Sequence, residues 1–89
     1  MNTNLRRNTK VLSGGIDEDM VLLDLEENNY LVISSVARRI WELIEDPIVF
    51  EDLCNTLMDE YEVDTDTCKN ETIEFLTVLD DKGMLICNE

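Results

Sequence analysis

Histidine is absent from the 89 residues. With it goes the side chain that most often serves as general base, metal ligand and pH switch near neutrality. Long hydrophobic runs are missing too. No stretch approaches the roughly 20 apolar residues that a membrane span needs. Arg6 and Arg7 in the opening MNTNLRRNTK are not followed by an apolar segment, so a secretory signal is not expected. The three cysteines, Cys54, Cys68 and Cys87, are odd in number and form no CxxC pair, which predicts neither a disulfide framework nor a zinc knuckle. Bases are scarce: 7 Lys and Arg stand against 21 Asp and Glu, for a formal charge of −14. Arg6, Arg7 and Lys10 all precede the first acid, Asp17, so the body of the chain is more acidic still. Such a surface repels phosphate backbones and excludes ordinary nucleic-acid binding. It would steer a cationic partner such as a Lys-rich peptide, and the same charge also simply keeps a small protein soluble. Together these absences predict a reduced, cytoplasmic, single-domain protein without catalytic residues, metal, cofactor or membrane contact.

What is present fits one domain over residues 1–89, with enough apolar content, 44%, for a single core. Residues 1–8 are polar and are expected to fray. Lys10 to Ile16 predicts a first strand, interrupted at Ser13-Gly14-Gly15 by a bulge or tight turn. Met20 to Leu25, MVLLDL, predicts a second strand. Glu26-Glu27-Asn28-Asn29 follows as a turn whose asparagines suit positive φ, and Tyr30 to Ile33 is the returning strand.

The period then changes. Ser34 or Ser35 can cap a helix in which Val36, Ile40, Trp41 and Ile44 share one face, stopped by Asp46-Pro47. Phe50, Leu53, Cys54, Leu57, Met58 and Tyr61 form an unbroken stripe on a second helix, where Cys54 acts as a small hydrophobe. A third helix runs from about Thr67 to Asp81, with Asp64, Thr65 or Asp66 as its cap and Lys82-Gly83 as its stop. Its apolar face is centred on Thr72, Leu76 and Leu79. Ile73 widens it on one side, Phe75 and Val78 on the other. That arc is wider than one core surface requires. Either the helix is buried on two sides, or it covers the core and something outside it. Met84 to Cys87 is a short extended tail.

Three antiparallel strands followed by three helices describe an α+β, winged-helix-like module. The run MVLLDLEENNYLVISSVARRIWELI resembles the PqqD-like family, in which a hairpin leads through a small polar residue into a helix carrying Ala-x-x-Ile-Trp-x-Leu. Those positions are Ile33, Ser34, Ala37, Ile40, Trp41 and Leu43. FEDLCNTLMDEYEV is similar to the family's second helix, and FLTVLDDKGML to its third helix with the closing Leu-x-x-x-Gly-x-Leu. The resemblance spans about residues 10 to 87. Relatives commonly carry Asn where this chain has Ser34, and serine caps a helix equally well.

The resemblance implies a recognition element for ribosomally made, modified peptides. The leader of a precursor peptide would add as an antiparallel strand to the strand Asn29, Tyr30, Leu31, Val32 and Ile33. The third helix would wall the groove through Glu71, Phe75, Val78, Leu79 and Lys82. A free-standing chain of this length resembles the recognition protein of lasso-peptide pathways, whose partners are a leader peptidase and a macrolactam-forming cyclase. Similar chains also serve radical-SAM enzymes as peptide chaperones. The physics of an unpaired edge agrees, since an extended peptide satisfies its free N–H and C=O groups. The same edge leaves both a monomer and an edge-strand dimer open. A winged-helix DNA binder would need a basic recognition helix, whereas the third helix sets Lys69 and Lys82 against Glu71, Glu74, Asp80 and Asp81. Adjacent acid pairs such as Glu26-Glu27 do not converge on one substrate, which argues against an enzyme. An acidic module that holds a basic protein by charge alone is the other reading, and it would release its partner steeply with salt.

Overall fold

The computed structural model describes residues 4–88. Two small antiparallel sheets flank three helices, in the order β1 (Asn4–Arg7), β2 (Leu12–Ile16), β3 (Asp19–Asp24), β4 (Asn29–Ser34), α1 (Ser35–Leu43), β5 (Ile48–Val49), α2 (Phe50–Glu60), α3 (Thr65–Asp81) and β6 (Leu85–Asn88). The strands pair as β2-β3-β4 and as β5-β1-β6.

The first sheet is the expected one. β2 meets β3 from Leu12↔Leu23 to Ile16↔Asp19, and β3 meets β4 from Asp19↔Ser34 to Asp24↔Asn29. Alternation sends Leu22, Ile33 and the half-buried Leu31 to the core, while Leu23, Tyr30 and Val32 point out. Asn28 takes φ 56 at the β3–β4 turn, as an asparagine there should. The interruption expected at Gly14-Gly15 does not occur, because both residues keep register opposite Val21 and Met20. A Cβ on Gly15 would meet the Arg38 guanidinium at an ordinary contact distance of 3.4 Å, and one on Gly14 would meet nothing, so neither glycine is required here by a bend or by a close approach.

The second sheet revises the expectation for both termini. Residues 4–7 are not frayed: β1 pairs with β5 on one side and β6 on the other, while residues 1–3 lie outside the described residues. Leu5 is buried, and the Arg7 guanidinium sits 5.2 Å from the centroid of the Trp41 ring. NLRR offers a single apolar residue, so it carries no period-2 signal, and its partners lie far along the chain. The extended tail after Gly83 is β6, bound to β1 from Arg7↔Leu85 to Asn4↔Asn88.

The core joins both sheets to all three helices. Trp41, Ile44, Leu22, Leu53, Leu57, Leu79 and Met84 are fully buried in it. Arg39 on α1 clamps Glu60 on α2 with two hydrogen bonds of 2.8 Å. Ser34 takes the cap position of α1 but makes no side-chain cap bond. Instead Ser35 adopts φ 54, so a backbone kink rather than a hydroxyl turns β4 into the helix. Asp64 caps α3, accepting from the Thr67 N–H at 3.4 Å. The far end of α3 closes on Gly83 at φ 72, with bonds from the Met84 N–H to the Leu79 carbonyl (2.8 Å) and from the Gly83 N–H to the Asp80 carbonyl (3.0 Å). This pairing, with buried Met84 against the helix, is a Schellman stop.

Candidate functional site

β4 is an edge strand, and α3 lies beside it. At one end the Asn29 side-chain amide donates to the Lys82 carbonyl at 3.4 Å. At the other, a hollow of about 40 Å³ is lined by Val36, just past β4, together with Glu71 and Thr72 of α3. The two elements therefore run antiparallel. Residues 71 to 82 of a helix span about 16 Å, and six residues of strand span about 17 Å, so the lengths match along the cleft.

Burial divides the side chains of α3 between two faces. Cys68, Thr72, Leu76 and Leu79 are the buried face of the helix. Glu71, Phe75, Val78 and Lys82 follow one another at i, i+4, i+7 and i+11, a stripe that flanks that face and meets it at Phe75. Phe75 packs partly on the core, Val78 is 37% exposed, Glu71 is exposed and Lys82 half-buried. Ile73, on the opposite flank, is exposed as well, beside a hollow lined by Leu5, Phe50 and Leu85. The wide apolar arc is thus not explained by burial on two sides, because both of its margins reach solvent.

The residues expected at the site divide accordingly. The structure brings Asn29 and Lys82 together at one end of β4 and α3 and sets Glu71 near Val36 at the other; Leu31 and Phe75 are half-buried against the core, and Val78 is partly exposed. Leu79 has 0% exposure and belongs to the core, so its side chain is not available to a ligand; it lies one position past the stripe. The Ile33 side chain is buried also, leaving its backbone as the part on the edge. Tyr30 and Val32, 67% and 54% exposed, project from the outer face of the sheet, away from α3. Sequence reasoning missed Asp24. It is buried, shares the inward face of β3 with Leu22, and lines a hollow of about 300 Å³ at the Asn29 end. The signal was a lone carboxylate at an inward position of the alternation in MVLLDL.

Electrostatics and chemistry are those of a binding surface. Among the described residues no group of three or more His, Cys, Asp or Glu is placed to hold a metal, and no helix is long and apolar enough to cross a membrane. Cys54 and Cys68 are buried, with the Cys68 thiol 3.8 Å from the Cys54 carbonyl; burial, followed by the charge of Cys68, pushes the Cys54 thiol up. Cys87 is exposed, and partial desolvation together with Asp80 raises its thiol also.

An open strand edge walled by one face of a helix defines a peptide-recognition domain, and residues 19–85 match the family of coenzyme PQQ synthesis protein D (PqqD), to which this chain belongs. Among solved structures, TbiB1 in complex with the TbiA(beta) leader peptide is similar at 32% identity and TM-score 0.81, over 90% of this chain and 93% of that one. Lasso peptide synthetase B1 complexed with its leader peptide is similar at 26% identity and TM-score 0.79, over 92% and 96%. No curated protein matches the chain.

Proposed function

We propose that the chain binds the leader of a ribosomally made precursor peptide and presents it to processing enzymes, in the manner of a lasso-peptide recognition protein. The observation that carries this reading is the unpaired edge of β4 lying beside the exposed Glu71–Lys82 stripe of α3. An extended peptide on that edge gains backbone hydrogen bonds along Asn29–Ser34, and alternate side chains reach either the cleft or the outer face of the sheet. Phe75 and Val78 give the cleft an apolar wall, and the acidic body draws a basic leader toward it. The two similar structures at 26% and 32% identity both hold leader peptides, which supports the same use of this fold here.

The chain contributes binding rather than catalysis, in the cytoplasm, and hands the tethered precursor to a leader peptidase and a macrolactam-forming cyclase. The test is fluorescence anisotropy with a labelled TbiA(beta) leader peptide as probe, titrated at low and high salt. Strand addition with buried side chains keeps most of its affinity in salt, whereas attraction by charge alone fades with screening. Loss of binding on raising the salt severalfold would favour the charge-only reading. An adjacent gene for a radical-SAM enzyme in place of the cyclase would redirect the pathway without changing the site.

A further inference from the structure

The hollow at the Asn29 end of the cleft is lined by Asp24, Glu27, Asp80 and Asp81 with Lys10 and Lys82. Of its two amines, Lys10 is already engaged with Glu26 at 2.8 Å. Two features here run against stability. Asp24 is only 1% exposed; its Oδ1 accepts from the Glu27 N–H at 3.3 Å, but its buried Oδ2 has no donor among the described residues. A buried acceptor without a partner is destabilising. Independently, α3 ends on Asp80 and Asp81, where the partial negative charge of a helix C-terminus favours cations, and the base it carries there is Lys82 at the C-cap. An orphaned buried oxygen and four carboxyls set against two amines call for the same thing, a further cationic hydrogen-bond donor.

We infer that this hollow is a subsite for one Lys or Arg side chain of the bound peptide. The inference rests on the peptide-binding reading above and adds a specificity and a register to it. Asp24 opposes Asn29, the first residue of β4, and projects to the α3 side of the sheet with Leu22. A strand added antiparallel to β4 brings its C-terminal end beside Asn29. The base therefore belongs at the C-terminal end of the paired segment, with its side chain turned inward.

A display library of random 15-residue peptides, selected on the immobilised full chain, tests this. The expected outcome is a family of peptides that protect β4 amides from hydrogen exchange and carry Lys or Arg at one fixed position near the C-terminal end of the protected register. Replacing that base with norleucine weakens binding about tenfold, the scale of a hydrogen bond to a charged group. In Asp24→Asn the same replacement has little effect, since the partner is already gone; Asn Oδ1 still accepts from Glu27, so the turn persists. Asp81→Asn, at an exposed site, reduces the preference roughly two- to fivefold. Failure to select any β4-protecting peptide removes the peptide reading and the subsite together. Selected peptides that protect β4 but show no basic position, or an undiminished preference for the base in both variants, remove the subsite alone.

Discussion

Val78 and Leu79 are neighbours in sequence with opposite fates, and substituting them separately tests the whole placement of the cleft. Leu79 has 0% exposure and forms part of the core that includes Leu76 and Met84. Leu79→Ala leaves a cavity there and costs about 2–5 kcal/mol. A domain of this size has ~4–13 kcal/mol to lose, and each kcal/mol shifts Tm by roughly 4–8 °C. The expected fall in Tm is roughly 8–40 °C. Val78 is 37% exposed on the stripe beside β4. A lysine in its place keeps its ammonium in water, so stability changes by less than about 0.5 kcal/mol, while the charge is set against the apolar side chains of any peptide in the cleft. Leader affinity should drop about tenfold or more, since leaving a charge desolvated and unpaired is costly. Thermal unfolding followed by circular dichroism gives the first quantity and leader anisotropy the second. A Leu79→Ala protein that melts like the parent but has lost binding, or a Val78→Lys protein that binds as before, would refute the assignment of these two faces.

Trp41→Ala should cost about 3–5 kcal/mol, because a fully buried ring is lost from the core along with its contact to Arg7; urea titration should find its midpoint lowered by a large part of the parent's stability. Glu60 is held below its ordinary value of 4.5 by hydrogen bonds from Arg39, and Asp64 below 3.8 by the Thr67 cap. A lowered native value means stabilisation that is fully present above the ordinary value and is lost as pH falls through the native one. The parent should therefore lose more stability than the Arg39→Gln, Asp64→Ala double variant between about pH 4.5 and pH 2, as read by denaturant midpoints. In the native protein only Cys87 should react with a thiol reagent. It should react more slowly than a free cysteine because its thiol is raised, whereas Cys54 and Cys68 should become reactive only in denaturant.

The parts of the fold that were legible in the sequence are those specified by local pattern. The MVLLDL–YLVI hairpin with its asparagine turn, the six-residue stripe of α2 and the glycine stop of α3 each depend on residues within a few positions of one another. β1 and β5 were not legible, because a four-residue and a two-residue strand become strands only through partners distant in the chain. Ser34 and Gly14-Gly15 mark a different limit. At Ser34 residue type signals a special position, but not whether a hydroxyl bond or a backbone kink meets the need; at Gly14-Gly15 it signals a break that the strand does not make. At the site, helical spacing separated Val78 from the core, yet it did not decide whether Leu79 one step further round was wall or interior. That depends on where the sheets press against the helix. Asp24 was readable in principle, since an acid on the inward face of an apolar strand is a local contradiction that asks for a reason.

The sheet that ties residues 4–7 to residues 48–49 and 85–88 imposes an order of events on folding. Strands β2 to β4 are joined by tight turns and can pair as soon as they are made, whereas β5-β1-β6 must wait until its last strand exists. For that interval β4 stands with its edge bare before α3 has docked alongside it, and bare edges pair with whatever strand is near. A precursor leader present during synthesis would occupy that edge early and act as a folding partner as well as a cargo. Pulse-labelled hydrogen exchange during refolding should find the β3 amides protected ahead of those of β1, with added leader protecting β4 before the second sheet has closed.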